Sequence, residues 1–223
     1  MEVLTTFRHE YKFVIPYGEM LKLKEKLDDV LTVDRGDSYI VRSWYFDSVD
    51  DIDYYAKQDG VMNRKKIRLR IYDIDNDYAK LEMKNKYDIH QLKESLIISK
   101  SDAKKIIQGD YDCLLKIDND LAKKLYSYFM TGYRPKVIIE YDRYAYITTT
   151  TTRITFDYHV RKSNDFDKFY TNDINYIELM NNNDVILEVK FDRFLEPYIS
   201  KILEKYISRG QAVSKYVMGR NDY

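Results

Sequence analysis

Apolar and polar residues alternate with a period of two along most of the chain, the pattern of half-buried strands. Phe7–Ile15, Tyr39–Asp47, Lys65–Tyr72, Tyr78–Lys86 and Gln91–Ile98 carry it, as do Lys136–Thr148, Arg153–Val160, Tyr176–Leu179 and Val185–Phe191. β-Branched and aromatic residues recur in these runs, as strands favour. Polar Asp73–Asp77 predicts a hairpin between two of them, and Thr148–Thr152 a further turn or edge. Helical spacing is rarer. Pro16-Tyr17-Gly18-Glu19 leads into a stripe of Met20, Leu23, Leu27, Val30 and Leu31, with proline near the helix start. Ser101-Asp102 is placed to cap Ala103–Ile107, which Gly109 ends. Asp118–Met130 and Glu196–Ile207 carry similar stripes. No composition shift and no fixed-period repeat divides the chain. The pattern predicts one domain over residues 1–223, of class α+β, with antiparallel strands and helices packed outside.

Composition narrows the function classes. Of 223 residues 44% are hydrophobic, enough for a core, and 7 Gly with 3 Pro leave little material for linkers. One cysteine, Cys113, excludes an internal disulfide framework and a cysteine-based zinc site. Thirty-seven basic residues balance 37 acidic ones, so no global charge draws the chain to nucleic acid or membrane. The first residues lack a basic stretch followed by an apolar one, and no apolar run approaches a membrane span. A soluble, cytoplasmic protein is the expectation.

Charge placement is more informative than charge total. Residues two apart in a strand share a face. Arg8, Glu10 and Lys12 therefore lie together, as do Arg68 with Arg70, Glu82 with Lys84, Tyr141 with Arg143, Arg153 with Asp157, and Glu188 with Lys190. Each set opposes an apolar face such as Ile67, Leu69 and Ile71. A solvated face explains one such strand, but five or more, nearly all Arg, Lys and Glu, suggest that the charged faces converge. The barrel is then inside-out, its apolar face covered by helices and its interior a charged, water-filled tunnel. Arg8, Lys12, Arg68, Arg70, Lys84, Lys93, Arg143, Arg153, Lys190 and Lys215 outnumber Glu10, Glu82, Asp157 and Glu188 by six. Crowded like charges call for a polyanion, and Arg grips phosphate oxygens in pairs. The few carboxylates suit Mg²⁺ or Mn²⁺.

The ordered series Arg8-His9-Glu10-Tyr11-Lys12, Tyr45-Phe46-Asp47, Arg64-Lys65-Lys66-Ile67-Arg68-Leu69-Arg70 and Leu81-Glu82-Met83-Lys84 continues toward the C-terminus. There it runs through Tyr141-Asp142-Arg143, Arg153-Ile154-Thr155-Phe156-Asp157, Leu187-Glu188-Val189-Lys190 and Ser214-Lys215-Tyr216. This series resembles the VTC (vacuolar transporter chaperone) domain, the polyphosphate polymerase branch of the triphosphate tunnel metalloenzymes, from about Phe7 to Tyr216. The resemblance implies an antiparallel tunnel barrel that transfers the γ-phosphate of ATP to a growing polyphosphate chain. It assigns Lys12, Arg68, Arg70, Lys84, Arg143, Arg153 and Lys215 to catalysis, Lys215 closing or positioning one tunnel mouth. Arg8, Glu10, Arg64, Glu82, Lys93, Tyr141, Asp157, Lys190 and Ser214 fall to substrate binding, and Glu188 to a Mn²⁺ or Mg²⁺ ion. ATP and inorganic polyphosphate are the implied partners, with no nucleic acid and no membrane segment. Tunnel triphosphatases open with two glutamates, ExExK, where this chain has Arg8 and so RxExK. The SPX domain and membrane helices of eukaryotic relatives are not recognisable in these 223 residues, so inositol-phosphate regulation and coupled transport are not part of the expectation.

Two rival functions share this lining: a tunnel hydrolase of inorganic or nucleoside triphosphate, and a non-catalytic polyphosphate-binding module. Other notable residues read as structural. His9 and His159 fall on expected apolar faces and His90 in a turn; Cys113 and Trp44 read as packing. Lys22, Lys24, Lys26, Lys104 and Lys105 read as solvated helix faces.

Overall fold

The computed structural model describes residues 8–87, 90–148, 152–207 and 213–221. The chain begins with β1 (Arg8–Pro16), α1 (Tyr17–Asp28), β2 (Thr32–Val33), β3 (Tyr39–Asp47) and α2 (Ile52–Gln58). Next come β4 (Arg64–Ile71), β5 (Tyr78–Tyr87), β6 (His90–Ser99), α3 (Lys100–Ile107) and α4 (Asp120–Met130). It finishes with β7 (Arg134–Ile147), β8 (Arg153–Ser163), β9 (Ile177–Glu178), β10 (Asp184–Asp192), α5 (Pro197–Ile207) and α6 (Lys215–Arg220). The nine expected strands and four expected helices all have counterparts, Tyr176–Leu179 only as the two-residue β9. Expected Phe7 and the middle of the Thr148–Thr152 turn lie outside the described residues. Among the described residues no helix is long and apolar enough to cross a membrane.

Two compact units divide the chain. The first uses the described parts of residues 1–40, 141–161 and 178–214. Its strands run in the order β1–β10–β8–β7, with β2 beside β7. β1 and β10 are antiparallel, Lys12 opposite Glu188 and Glu10 opposite Lys190. The intervening residues, Phe13, Ile15, Leu187 and Val189, point to a core shared with Ile154, Phe156, Met20, Leu23, Leu27, Ile199 and Leu203. That core packs α1 and α5 on the apolar face, as the alternation predicts. Pro16 precedes the first residue of α1, its fixed extended geometry switching the chain from strand to helix. The helix ends at Asp28, so Val30 of the expected stripe is outside it and exposed. Lys24 is not simply solvated: its ammonium stands 3.4 Å from the centre of the Tyr144 ring.

The second unit uses the described parts of residues 41–140, 162–177 and 215–223, with strand order β7–β3–β4–β5–β6. Ile67, Leu69, Ile71, Leu81, Met83, Leu96 and Ile98 form one wall of its core, and Ala103, Ile106, Leu121, Leu125 and Phe129 of α3 and α4 form the other. Ser99, not Ser101 or Asp102, caps α3: its hydroxyl accepts from the Asp102 N–H. The reason is that α3 begins three residues earlier than expected, at Lys100, directly from β6. Gly109 takes a left-handed φ of 85° after the helix, as a glycine there can without strain. His90 opens β6 rather than sitting in a turn. His159 is exposed, not on an apolar face; a left-handed φ of 49° turns it out of the β8 alternation to Asp142, 2.7 Å away.

Two buried polar groups organise the second unit. Arg42 and Glu140, both nearly inaccessible, form an ion pair. Arg42 also donates to the carbonyls of Phe169 (2.6 Å) and Thr171 (2.8 Å), and the Tyr176 hydroxyl donates to Glu140 at 2.7 Å. This fastens the 162–177 segment to β3 and β7. The other group is Asp47 at the end of β3. Its carboxylate accepts from the N–H groups of Ser48 (2.7 Å), Asp53 (2.9 Å) and Tyr54 (2.9 Å), which secures the start of α2. α2 escaped the sequence reading because its cap lies several residues upstream.

Asp53, on α2, is buried beside Lys65 at 3.1 Å and accepts from Tyr133 at 3.1 Å. Burial, and then the nearby Asp47 charge, outweigh Lys65 and push its carboxyl up to about 6. The folded group therefore keeps its proton to higher pH than the unfolded one. Ionising it disfavours the fold, a penalty absent below about pH 4 and complete above about pH 6. Relative to Asp53→Asn, the wild type should lose about 3 kcal/mol between those limits. Chemical denaturation of both proteins across that range checks this, and a pH-independent difference would refute it.

Candidate functional site

The second unit carries a face of unusual composition. In β4 the residues opposite the core are Arg64, Lys66, Arg68 and Arg70. Antiparallel register sets them beside Lys86, Lys84, Glu82 and Lys80 of β5. β6 adds Lys93 beside Lys84 and Ser95 beside Glu82, and β3 adds Ser43 beside Arg70 and Tyr45 beside Arg68. Directly opposed residues share a face, and like charges so placed destabilise a sheet. Here Arg64 opposes Lys86, Lys66 opposes Lys84, Lys84 opposes Lys93 and Arg70 opposes Lys80. On this face of the three strands one carboxylate, Glu82, stands among eight cations.

Glu82 is correspondingly engaged. It meets Arg68 at 2.6 Å, Lys93 at 2.5 Å and Arg70 at 3.9 Å. Burial alone would raise its pKa, but Arg68, Arg70 and Lys93 together hold the carboxyl well below the usual range. Burial pushes Lys93 down against the pull of Glu82, although its side chain is half exposed. Arg70 donates to the Ser43 hydroxyl at 2.9 Å, and Arg68 donates to the Tyr45 hydroxyl at 3.2 Å. Burial would raise the Tyr45 phenol, yet the charges of Arg68, Arg70 and Lys215 bring it down. Lys215 thus acts on the same group as Arg68 and Arg70. It opens α6, directly after buried Ser214.

The first unit holds a second cluster with a different balance. Lys12 meets Glu10 at 2.7 Å and Glu188 at 3.3 Å; Lys190 meets Glu188 at 2.9 Å. Arg143 grips Asp157 through two bonds, 2.6 and 2.7 Å, and lies 3.7 Å from Glu188. Its guanidinium stands over the buried Tyr141 ring at 5.2 Å. Burial would lower Lys12, but Glu188 and Glu10 raise it; burial would raise Glu188, but Lys190, Lys12 and Arg143 hold it down. Lys190 is pushed down by burial despite Glu188. Arg153 binds Asp34 at 2.6 Å and the Tyr39 hydroxyl at 2.9 Å.

Of the site residues expected from sequence, the first unit therefore gathers Glu10, Lys12, Tyr141, Arg143, Asp157, Glu188 and Lys190, with Arg153 joined to Asp34. Arg8 faces Asp192 by backbone register, and its side chain lies outside the described residues. The second unit gathers Arg64, Arg68, Arg70, Glu82, Lys84 and Lys93, with Lys215 linked to them through Tyr45. Sequence reasoning missed Lys66, Lys80 and Lys86, which the two-residue period already places on the Arg68 face. It also missed Asp34 and Tyr39; the loop around Asp34 has no periodicity to reveal it.

Among the described residues no three His, Cys, Asp or Glu side chains gather as a metal cage. Glu188 and Glu10, both bound to Lys12, offer hard carboxylate oxygens. That donor set fits Mg²⁺ or Mn²⁺ shared with phosphate oxygens, since such ions commonly use only one or two protein carboxylates.

A model of the VTC domain matches residues 7–222. No curated protein matches the chain. Among solved structures, a putative adenylate cyclase from Bacillus halodurans is similar at a TM-score of 0.57 and 12% identity, covering 94% of each chain. A putative adenylyl cyclase from Hippeastrum, reported as revealing a dominant triphosphatase activity, has a TM-score of 0.56 and 12% identity, covering 95% of this chain and 94% of that one. One from Vibrio parahaemolyticus has 0.54 and 12%, covering 96% and 98%. At such identities the likeness is one of fold: α+β, antiparallel, of the triphosphate tunnel type, with helices on the apolar faces of its strands.

The Glu82 carboxylate is the internal counter-charge of the second unit's basic face. Glu82→Gln should lower stability by about 3 to 5 kcal/mol, as when one partner of a buried ion pair is removed. Added inorganic tripolyphosphate should then raise the melting temperature of the variant more than that of the wild type. Equal shifts would show that Glu82 is not the counter-charge that a phosphate chain replaces, and no shift in either protein would show that the face does not bind phosphate chains.

Proposed function

This chain belongs to the VTC domain family, and on that premise we propose that it is an ATP-dependent polyphosphate polymerase working as one domain over residues 1–223. The γ-phosphoryl group of ATP passes to the terminal phosphate of inorganic polyphosphate, giving ADP and a chain one phosphate longer. The observation that carries this reading is the face of β4, β5 and β6, with eight cations to one carboxylate. Arg64 to Arg70 extends over about 20 Å at strand spacing. An extended polyanion matches that length better than a single small phosphate ester does.

The chemistry asks for positioning and charge stabilisation, not a covalent intermediate on the enzyme. An oxygen of the acceptor's terminal phosphate attacks the γ-phosphorus. The bond from that phosphorus to the β,γ-bridging oxygen breaks, and its electron pair leaves with ADP. Two anions must approach each other, so Lys12, Arg68, Arg70, Lys84, Arg143, Arg153 and Lys215 act by binding phosphate oxygens and offsetting their repulsion. Tyr141, beneath the Arg143 guanidinium, and Asp157, paired with it, hold that group in one orientation. Arg8, Arg64, Lys93, Lys190 and Ser214 extend the binding surface. Glu188, with Glu10, would hold a Mn²⁺ or Mg²⁺ ion, which supplies charge neutralisation on the transferred phosphoryl group. A cytoplasmic setting, where ATP is at hand, accords with this reading.

A tunnel triphosphatase is the second reading, favoured by the activity reported for the Hippeastrum relative in fold. A non-catalytic polyphosphate-binding module would keep the basic face and lose turnover. Incubating the purified protein with ATP and Mn²⁺ or Mg²⁺, then resolving products on a polyphosphate-staining gel, separates the three. Polymer with ADP is expected. Phosphate release without polymer indicates the hydrolase, and tight polyphosphate binding without ATP consumption indicates the module. Arg70→Ala and Glu188→Ala should each slow synthesis roughly 10²–10³-fold; rates within a few-fold of wild type would remove those residues from the site.

A further inference from the structure

α6 is only six residues long, and its anchoring is out of proportion to its size. The Tyr216 hydroxyl donates to Asp47 at 2.5 Å, both groups being buried. Arg220 donates to Asp51 at 2.6 Å, and the Tyr54 hydroxyl donates to the side-chain oxygen of Asn221 at 2.9 Å. One short segment, from Asp47 to Tyr54, thus holds the helix at both ends. At Gly219 the backbone comes so close to Ile139 that an added Cβ would stand 2.2 Å from the Ile139 Cδ1 atom.

The same contacts lead to the basic face. The ring of Tyr216 stacks on Tyr45 with centroids 5.1 Å apart and planes 26° apart. Tyr45 accepts from Arg68, and the Lys66 ammonium lies 5.9 Å from the centre of the Tyr216 ring. Lys215 is the residue next to Tyr216, so the bond that holds the Tyr216 hydroxyl also holds the turn of α6 from which Lys215 projects, and the Lys215 charge acts on Tyr45. The carboxylate that holds it is itself fixed by three backbone N–H groups, and so presents its oxygen in one place.

We propose that Tyr216 and Asp47 are positioning residues that set Lys215 against the Arg68–Arg70 face, so that phosphate affinity depends on a hydrogen bond touching no substrate. The inference rests on the reading of Lys215 as a phosphate ligand given above, and its test separates the two. The full chain is prepared as wild type, Lys215→Ala, Tyr216→Phe and the double variant. Binding of inorganic tripolyphosphate is measured by calorimetry over a series of salt concentrations, with thermal melts alongside.

Lys215→Ala should weaken binding roughly tenfold or more, as loss of a charged contact does. Tyr216→Phe keeps the ring and its stacking, and should also weaken binding by roughly tenfold through loss of one hydrogen bond. On the Lys215→Ala background it should add less than a factor of two, and both single variants should flatten the salt dependence alike. A merely structural tyrosine would weaken binding equally on both backgrounds, which would overturn the positioning role. Wild-type affinity in Lys215→Ala would overturn the ligand reading and, with it, the inference built on it. If melts show Tyr216→Phe unfolded, Arg220→Ala, which loosens the other end of α6, replaces it in the same cycle with the same criteria.

Discussion

Like charges set directly across a sheet from one another repel, and the chain tolerates four such pairs between β4, β5 and β6. The apolar side of the same strands explains how. Ile67, Leu69, Leu81 and Leu96 anchor them against α3 and α4, so burial on one face carries the repulsion on the other. Glu82 relieves only the middle of it. A sheet that holds eight cations around one carboxylate on a fixed scaffold is preorganised for an anion supplied from outside.

Between β1 and β10 of the first unit the opposite rule holds: Glu10 faces Lys190 and Lys12 faces Glu188, so these cross-strand neighbours attract, while Lys190 meets Arg153 of β8 on its other side. Arg143 has Asp157 and Arg153 has Asp34. Cations already answered by carboxylates bind a phosphate less strongly, but they offer the mixed environment in which a divalent ion and phosphate oxygens can sit together. One unit supplies surplus positive charge, and the other supplies carboxylates held among cations.

Strand alternation made much of this readable in advance. The core residues Ile67, Leu69, Phe156 and Leu187 and the charged residues opposite them were assigned by parity alone, because a period of two leaves no other arrangement for a half-buried strand. What parity could not give was tertiary. Asp34 reaches Arg153 from a loop, and Asp47 caps a helix that starts several residues after it. α2 and α6 are too short for a hydrophobic period to establish itself, and they exist because of the side chains that hold their ends. His159 left its expected face through one left-handed residue, which no local pattern announces.

The fastening of the 162–177 segment by Arg42 and Glu140 has an experimental corollary. Both groups are almost wholly withdrawn from solvent, beyond the reach of dissolved ions that weaken contacts at half-exposed lysines such as Lys93. Ionic strength can therefore loosen bound anions from the surface while this internal clasp stays shut, which makes sodium chloride a selective reagent for this molecule.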